Sequence, residues 1–194
     1  MNRLIKILSA LALLALVSGL IVFTGCDVVT GSGQTSTLEM AYSDFTRVEI
    51  ATGFNVKITR ADDFFISITV DKSLYEYLSI AQRGDTLHIG LKPNYTYTAA
   101  LREAVITLPD LRRLELSGGA KAAVTGFSVT HAVDFELSGG SALTGNIEMS
   151  DSTFTLSGES AMEITGTAPG IKVDVSGGSD VTLPEFMVTT ANIN

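Results

Sequence analysis

The chain has 194 residues, one cysteine, and 21 Asp and Glu against 13 Lys and Arg, for a formal charge of −8. The length fits a single domain with a short targeting segment, and one cysteine excludes an intramolecular disulfide. An acidic balance argues against a nucleic-acid partner, whose affinity comes from neutralising phosphates.

Arg3 and Lys6 precede an apolar run over 7–23, which ends in Thr24-Gly25-Cys26. A basic start, an apolar centre and small residues before a boundary are the layout of an export signal. A run of this length also approaches the roughly 17–25 residues of a membrane-spanning helix, and the cysteine tilts the reading. VFTGC resembles the lipobox of bacterial lipoproteins, in which signal peptidase cuts before a cysteine that receives a diacylglycerol, although Phe23 stands where Leu is usual. The resemblance implies a signal peptide over 1–26, lipid attachment at Cys26, and an exported chain anchored to the bacterial membrane with its domain on the extracytoplasmic side. More than one acyl chain makes such an anchor stable where a single chain is marginal. Without residues 1–26, 11 basic residues face 21 acidic ones, a formal charge of −10.

Residues 27–37, DVVTGSGQTST, are small and polar, and read as a flexible linker. The domain is expected over 38–194. FTRVEI, FNVKITR, FFISITV and TLHIGLK each alternate apolar and polar residues, the pattern of half-buried strands. Only 71–80 suits a helical turn or two, with Asp71 as its N-cap. NYTYTAALRE, over 94–103, suits a loop or an edge strand.

The second half repeats itself. LELSGG at 114–119 returns as FELSGG at 135–140, FTLSGE at 154–159 and VDVSGG at 173–178. From Ser117 to Ser138, Ser157 and Ser176 the steps are 21, 19 and 19 residues. Leu114, Phe135, Phe154 and Val173 form one column, and Leu116, Leu137, Leu156 and Val175 another, so each copy aims two apolar side chains to one side. A second arm repeats as Ala122, Leu143, Met162 and Val181, with Val124, Ile164 and Leu183 two residues on; the second copy reaches its Thr144-Gly145 two residues early. Gly118, Gly139, Gly158 and Gly177 follow the serines as structural turn glycines, the only position expected to be constrained, because Glu159 is accepted at the next one. Repetition at this period predicts an all-β fold, a parallel β-helix-like solenoid with steps of 19–21 residues over about 114–186, preceded by shorter strands. The L-x-x-L-x-L in LPDLRRLELSGG would fit a leucine-rich repeat, but the usual asparagine is absent and no copy carries a helical segment.

FTRVEIATGFNVKI, GDTLHIGL, VITLPDLRRLELSGGAK and the SGG repeats together are similar to the head GIN domain family of bacterial adhesins, also called a domain of unknown function. The resemblance covers about 38–190 and implies a right-handed β-helix-like fold in an envelope protein with a role in adhesion or surface interaction.

No reactive constellation accompanies the pattern. His88 alternates with Leu87 and Ile89 and so points away from the core, and His131 reads as a loop residue; neither suggests a metal site. Glu115, Asp134, Glu136, Glu163, Asp174 and Asp180 recur in the repeats, and a carboxylate pair can hydrolyse glycosides, but outward strand positions are polar in any solvated sheet. SGGSD at 176–180 resembles a calcium-binding nonapeptide without its nine-residue period, and G-x-S-x-G is absent. The four serines suit a polar ladder or turn cap. These readings predict no catalytic residue, no cofactor and no metal. They predict a cell-envelope lipoprotein that presents a surface for adhesion to a glycan or an envelope protein, with Lys121, Thr125, Glu136, Thr155 and Lys172 on a flat polar face. A β-helix enzyme acting on polysaccharide, and an envelope stress or signalling scaffold, are the alternatives.

Overall fold

The computed structural model describes residues 27–194; the apolar run and Cys26 lie outside the described residues. Among the described residues seventeen strands follow one another. The first seven are β1 (Asp27–Thr30), β2 (Thr35–Met40), β3 (Arg47–Ile50), β4 (Asn55–Arg60), β5 (Phe65–Asp71), β6 (Leu78–Arg83) and β7 (Thr86–Leu91). Then come β8 (Tyr95–Thr98), β9 (Arg102–Leu108), β10 (Arg113–Leu116), β11 (Lys121–Ser128), β12 (Asp134–Leu137) and β13 (Ala142–Glu148). The last are β14 (Ser152–Leu156), β15 (Ala161–Val175), β16 (Asp180–Thr182) and β17 (Phe186–Ile193). The only helix among the described residues is a 3-10 helix, Lys72–Tyr77, capped by the Asp71 carboxylate at the Ser73 amide.

The fold is all-β, with one large mixed sheet that does not close on itself. Its order comes from the repeats. Leu114 pairs in register with Phe135, Phe135 with Phe154 and Phe154 with Val173, all between parallel strands, so the first predicted column is a physical one. A second parallel set aligns Ala122 with Leu143, Met162 and Val181. The fifteen residues of β15 serve both sets: its first half pairs with β13 and its second with β14.

Both sets extend beyond the recognised repeat. Val48 and Ile50 pair with Leu114 and Leu116, and Leu87 and Ile89 pair with Val48 and Ile50. On the other side Ala104 aligns with Val56, and Val56 with Ala122. Between the paired strands, Thr52 and Gly53 take positive φ values of 54° and 70°, much as Gly118 and Gly119 do at 58° and 77°. The sheet is parallel along these columns and antiparallel at its margins, where β5 and β2 continue from β9, and β6 from β7.

The apolar columns form the core: Phe45, Phe54, Phe135, Phe154 and Leu114 are fully buried. The extra length of the first 21-residue step is partly absorbed by a bulge between Val124 and Phe127, where Gly126 takes φ 85°. Gly145 then stands level with Val124 and Ile164, and a Cβ there would meet the Val124 carbonyl oxygen at 2.6 Å.

Two expectations are corrected. Residues 27–37 are not a free linker: β1 pairs in parallel with β8, β2 pairs antiparallel with β5, and Asp71 binds the turn between them. The small polar residues that look like spacer are edge-strand and turn residues. The second glycine position is also constrained, since Gly119, Gly140, Glu159 and Gly178 all have positive φ. The two positions differ in space. A Cβ on Gly139, Gly158 or Gly177 would approach the amide nitrogen of the glycine one copy earlier to 3.2, 3.0 or 2.9 Å, whereas Gly119 and Gly140 have nothing within 4 Å. Glu159 is tolerated for want of a neighbour, at the cost of a left-handed backbone.

Candidate interaction surface

Strand alternation sends every second side chain of the first set outward. Register then stacks these into two adjoining columns. One runs Thr86, Arg47, Arg113, Asp134, and the other His88, Glu49, Glu115, Glu136, Thr155, Asp174. Lys172 pairs with Thr153 beside Asp174, and its ammonium binds that carboxylate at 2.5 Å. Neighbouring strands lie about 4.8 Å apart, so groups repeat along the face at that step.

Cations and carboxylates pair along the face, and Arg113 bridges its two columns. Arg113 reaches Glu136 at 2.5 Å and Glu115 at 3.6 Å, His88 Nδ1 lies 3.4 Å from Glu49, and Arg47 lies 3.5 Å from Asp85. Hydrogen bonds from Lys172 and then Asn194 hold the Asp174 carboxyl below the usual aspartate range. Three shallow depressions follow the face: one between Arg47, Glu49, Arg113 and Glu115, one by Glu115, Glu136 and Thr155, and one by Arg47, Arg112, Arg113 and Asp134. A wider open trough of about 570 Å³ adjoins them, lined by Asp151, Thr153, Lys172 and Thr190 among others.

The sequence candidates divide accordingly. Glu136, Thr155 and Lys172 belong to this face, whereas Lys121 and Thr125 lie on β11 in the other set, so the five do not share one surface. Glu163 and Asp180 are likewise on the other set. Glu115 and Glu136, the nearest approach to a carboxylate pair, share the Arg113 guanidinium. His131 sits at a corner, with Nε2 2.6 Å from Asp110 and Nδ1 2.9 Å from the Ala132 carbonyl, apart from His88. Among the described residues no three His, Cys, Asp or Glu side chains gather as a metal site would require.

The polar ladder expected of the serines is displaced by three residues. Ser141 and Ser160, both buried, donate their hydroxyls to the carbonyls of Ser138 and Ser157. The hydroxyl oxygens of Ser160 and Ser179 in turn accept from the copy before: the Ser141 amide donates to Ser160 Oγ at 3.3 Å, and the Ser160 amide to Ser179 Oγ at 3.1 Å. The signal was present, because SGGS, SGES and SGGS carry a serine at the fourth position in three of the four copies, with Ala120 in the other. Arg47 and Arg113 were missed as members of the face. RVEIATGF and RLELSGGA show them to be equivalent when aligned.

The family described as "Putative auto-transporter adhesin, head GIN domain" matches residues 44–194. The chain belongs to this family. No curated protein matches it. Among solved structures, the head GIN chain is similar to a putative adhesin from Bacteroides fragilis NCTC 9343, with TM-score 0.77, 14% identity and coverage of 85% of this chain and 78% of that one. It is similar to a putative lipid binding protein from Parabacteroides distasonis ATCC 8503, with TM-score 0.69, 18% identity and coverage of 87% and 81%. A putative adhesin from the same organism has TM-score 0.61, 16% identity and coverage of 86% and 80%. At these identities the likeness is one of fold. Membership in a family of adhesins suggests an extracytoplasmic surface protein, and no helix among the described residues is long and apolar enough to cross a membrane.

Proposed function

We propose that this head GIN domain is a non-enzymatic module of the bacterial cell envelope, anchored through a lipidated Cys26 after the signal is cleaved before that residue. Its parallel columns coil as a right-handed β-helix-like solenoid, and the two-column charged face binds a macromolecular partner, a glycan or an envelope protein. The observation that carries the reading is the register of outward side chains, which sets Arg47 beside Glu49 and Arg113 beside Glu115 at successive steps of the sheet and continues the row of polar groups on either side. Such a surface suits a partner that is itself a repeating chain, bound through many weak polar contacts in place of a deep pocket. The pairing of Glu115 and Glu136 through Arg113 supports a scaffold role for these acids over glycoside hydrolysis.

The test is a screen of the purified domain against glycan arrays and envelope extracts, alongside a variant carrying Arg47→Glu and Arg113→Glu. The expected outcome is a ligand retained at micromolar levels by the wild type and weakened at least about tenfold in the variant, the loss expected when an interfacial charge is reversed. No ligand retained by the wild type would overturn the binding reading.

A further inference from the structure

The charged face leaves one exposed feature unused, a tyrosine corner where the described chain enters the fold. β1 and β8 form a separate two-stranded sheet, in which Asp27 pairs with Tyr95 and Val29 with Tyr97. The Tyr77 ring lies 4.8 Å from Tyr95 and 5.8 Å from Tyr97, centre to centre. Tyr77 and Tyr97 pack against the core. Tyr95, Tyr75 and Val28 stand out of it, 36%, 55% and 63% exposed.

The entering segment has no slack. Gly31 N donates to the Thr98 carbonyl at 2.9 Å, and a Cβ on Gly31 would lie 2.1 Å from the Ala99 carbonyl oxygen. The amides of Ser32 and Gly33 donate to the buried Asp71 carboxylate at 2.9 and 2.7 Å. Cys26 directly precedes Asp27 in the sequence, and Asp27 is the residue that pairs with Tyr95.

We infer that this corner docks on the lipid bilayer, with Tyr75, Tyr95 and Val28 seated in the headgroup zone of the leaflet that holds the Cys26 acyl chains. The inference rests on the reading of Cys26 as the lipid carrier. The headgroup zone is about 5–8 Å deep on each side of the hydrocarbon core, and the corner begins within one residue of the anchor. Tyrosine favours that zone because its ring is apolar and its hydroxyl stays wet. Charge singles out the same corner. Its exposed carboxylates, Asp27 and Glu76, are balanced by Lys72 and Lys92, whereas residues 27–194 as a whole carry −10 and are repelled by an anionic leaflet. The domain therefore stands on the membrane in one orientation and does not swing on a tether.

The experiment uses the full chain, expressed with its own N-terminus and reconstituted into vesicles of phosphatidylethanolamine and phosphatidylglycerol. The sequence has no tryptophan, so Tyr95→Trp supplies a single reporter. Tyr75→Trp repeats it at a residue whose ring joins no stack, and Met187→Trp, exposed on β17, which pairs with β15 and with neither strand of the β1–β8 sheet, is the reference. The expected result is a blue-shifted emission at 95 and 75, quenched several-fold more by spin-labelled headgroup lipids than emission at 187. Equal quenching at all three positions in protein that floats with the vesicles would overturn the docking while leaving the anchor intact. Flotation that fails, or that Cys26→Ser leaves unchanged, would refute the anchor and the docking with it.

Discussion

The backbone of Gly158 runs so close to that of Gly139 that a Cβ on the former would lie 3.0 Å from the latter's amide nitrogen. The same approach recurs between Gly139 and Gly118, and between Gly177 and Gly158, at positive φ each time. Two separate penalties thus fall on any side chain at this position, a left-handed backbone and a collision with the copy before. Gly158→Ala is expected to cost more than the roughly 1–2 kcal/mol of the backbone alone. Glu159→Gly, next door, has only backbone strain to relieve and is expected to stabilise by about 1 kcal/mol. Denaturant midpoints of the two variants should move in opposite directions.

Phe154 packs edge-on against Phe135, with ring centres 5.6 Å apart, and against Phe186 at 6.5 Å. It is fully buried in the first column. Phe154→Ala is expected to cost about 3–5 kcal/mol. A double-mutant cycle with Phe135→Ala should return a coupling of about 0.5–1.5 kcal/mol, the range for aromatic pairs in contact.

Ser160 should behave unlike Ser157. Its buried hydroxyl donates to the Ser157 carbonyl and accepts from the Ser141 amide, so Ser160→Ala strands two polar groups and is expected to cost about 1–3 kcal/mol. Ser157→Ala, at a half-buried position, should change the melting temperature little.

Asp71 ties stability to pH. The Ser32 amide first, opposed by burial and joined by the Ser73 amide and the Ser32 hydroxyl, holds its carboxyl well below the usual aspartate range. A depressed folded value means that the unfolded chain takes up the proton first. The stabilisation is therefore complete above the ordinary aspartate value of about 3.9 and is lost as pH falls towards the folded value. Hydrogen exchange of the Ser32, Gly33 and Ser73 amides should accelerate between pH 5 and pH 3, relative to the change in a distant strand such as β13. Asp71→Asn should show the faster exchange already at pH 7.

The repeating half of the fold was legible because each strand presents its apolar residues at a period of two and each copy returns after a near-constant step. Register follows once Leu114, Phe135, Phe154 and Val173 are written in one column. The start of the stack was harder to read. Thr52 replaces the first turn glycine and Phe54 stands where later copies have Ala120 or a serine, so the copy at 47–58 lacks the SGG mark although its backbone turns in the same way. Residues 27–37 misled for a different reason. Their order comes from Asp71 and Ala99, partners roughly forty to seventy residues away that no local pattern reveals. The charged face depended on both: Arg47 joins Arg113 only when the early copy is aligned with the later ones.

Register is the central claim, and cross-linking tests it most directly. Glu136 and Thr155 are outward neighbours in register, and Thr153 is displaced from that level by two residues. In a Cys26→Ser background, cysteines at 136 and 155 fall within the separation of about 4.4–6.8 Å that a disulfide spans. The account predicts rapid oxidation of the 136/155 pair in the folded protein and slow oxidation of 136/153. Equal rates, or preference for 136/153, would contradict the stacking on which the face, the turn glycines and the fold all depend.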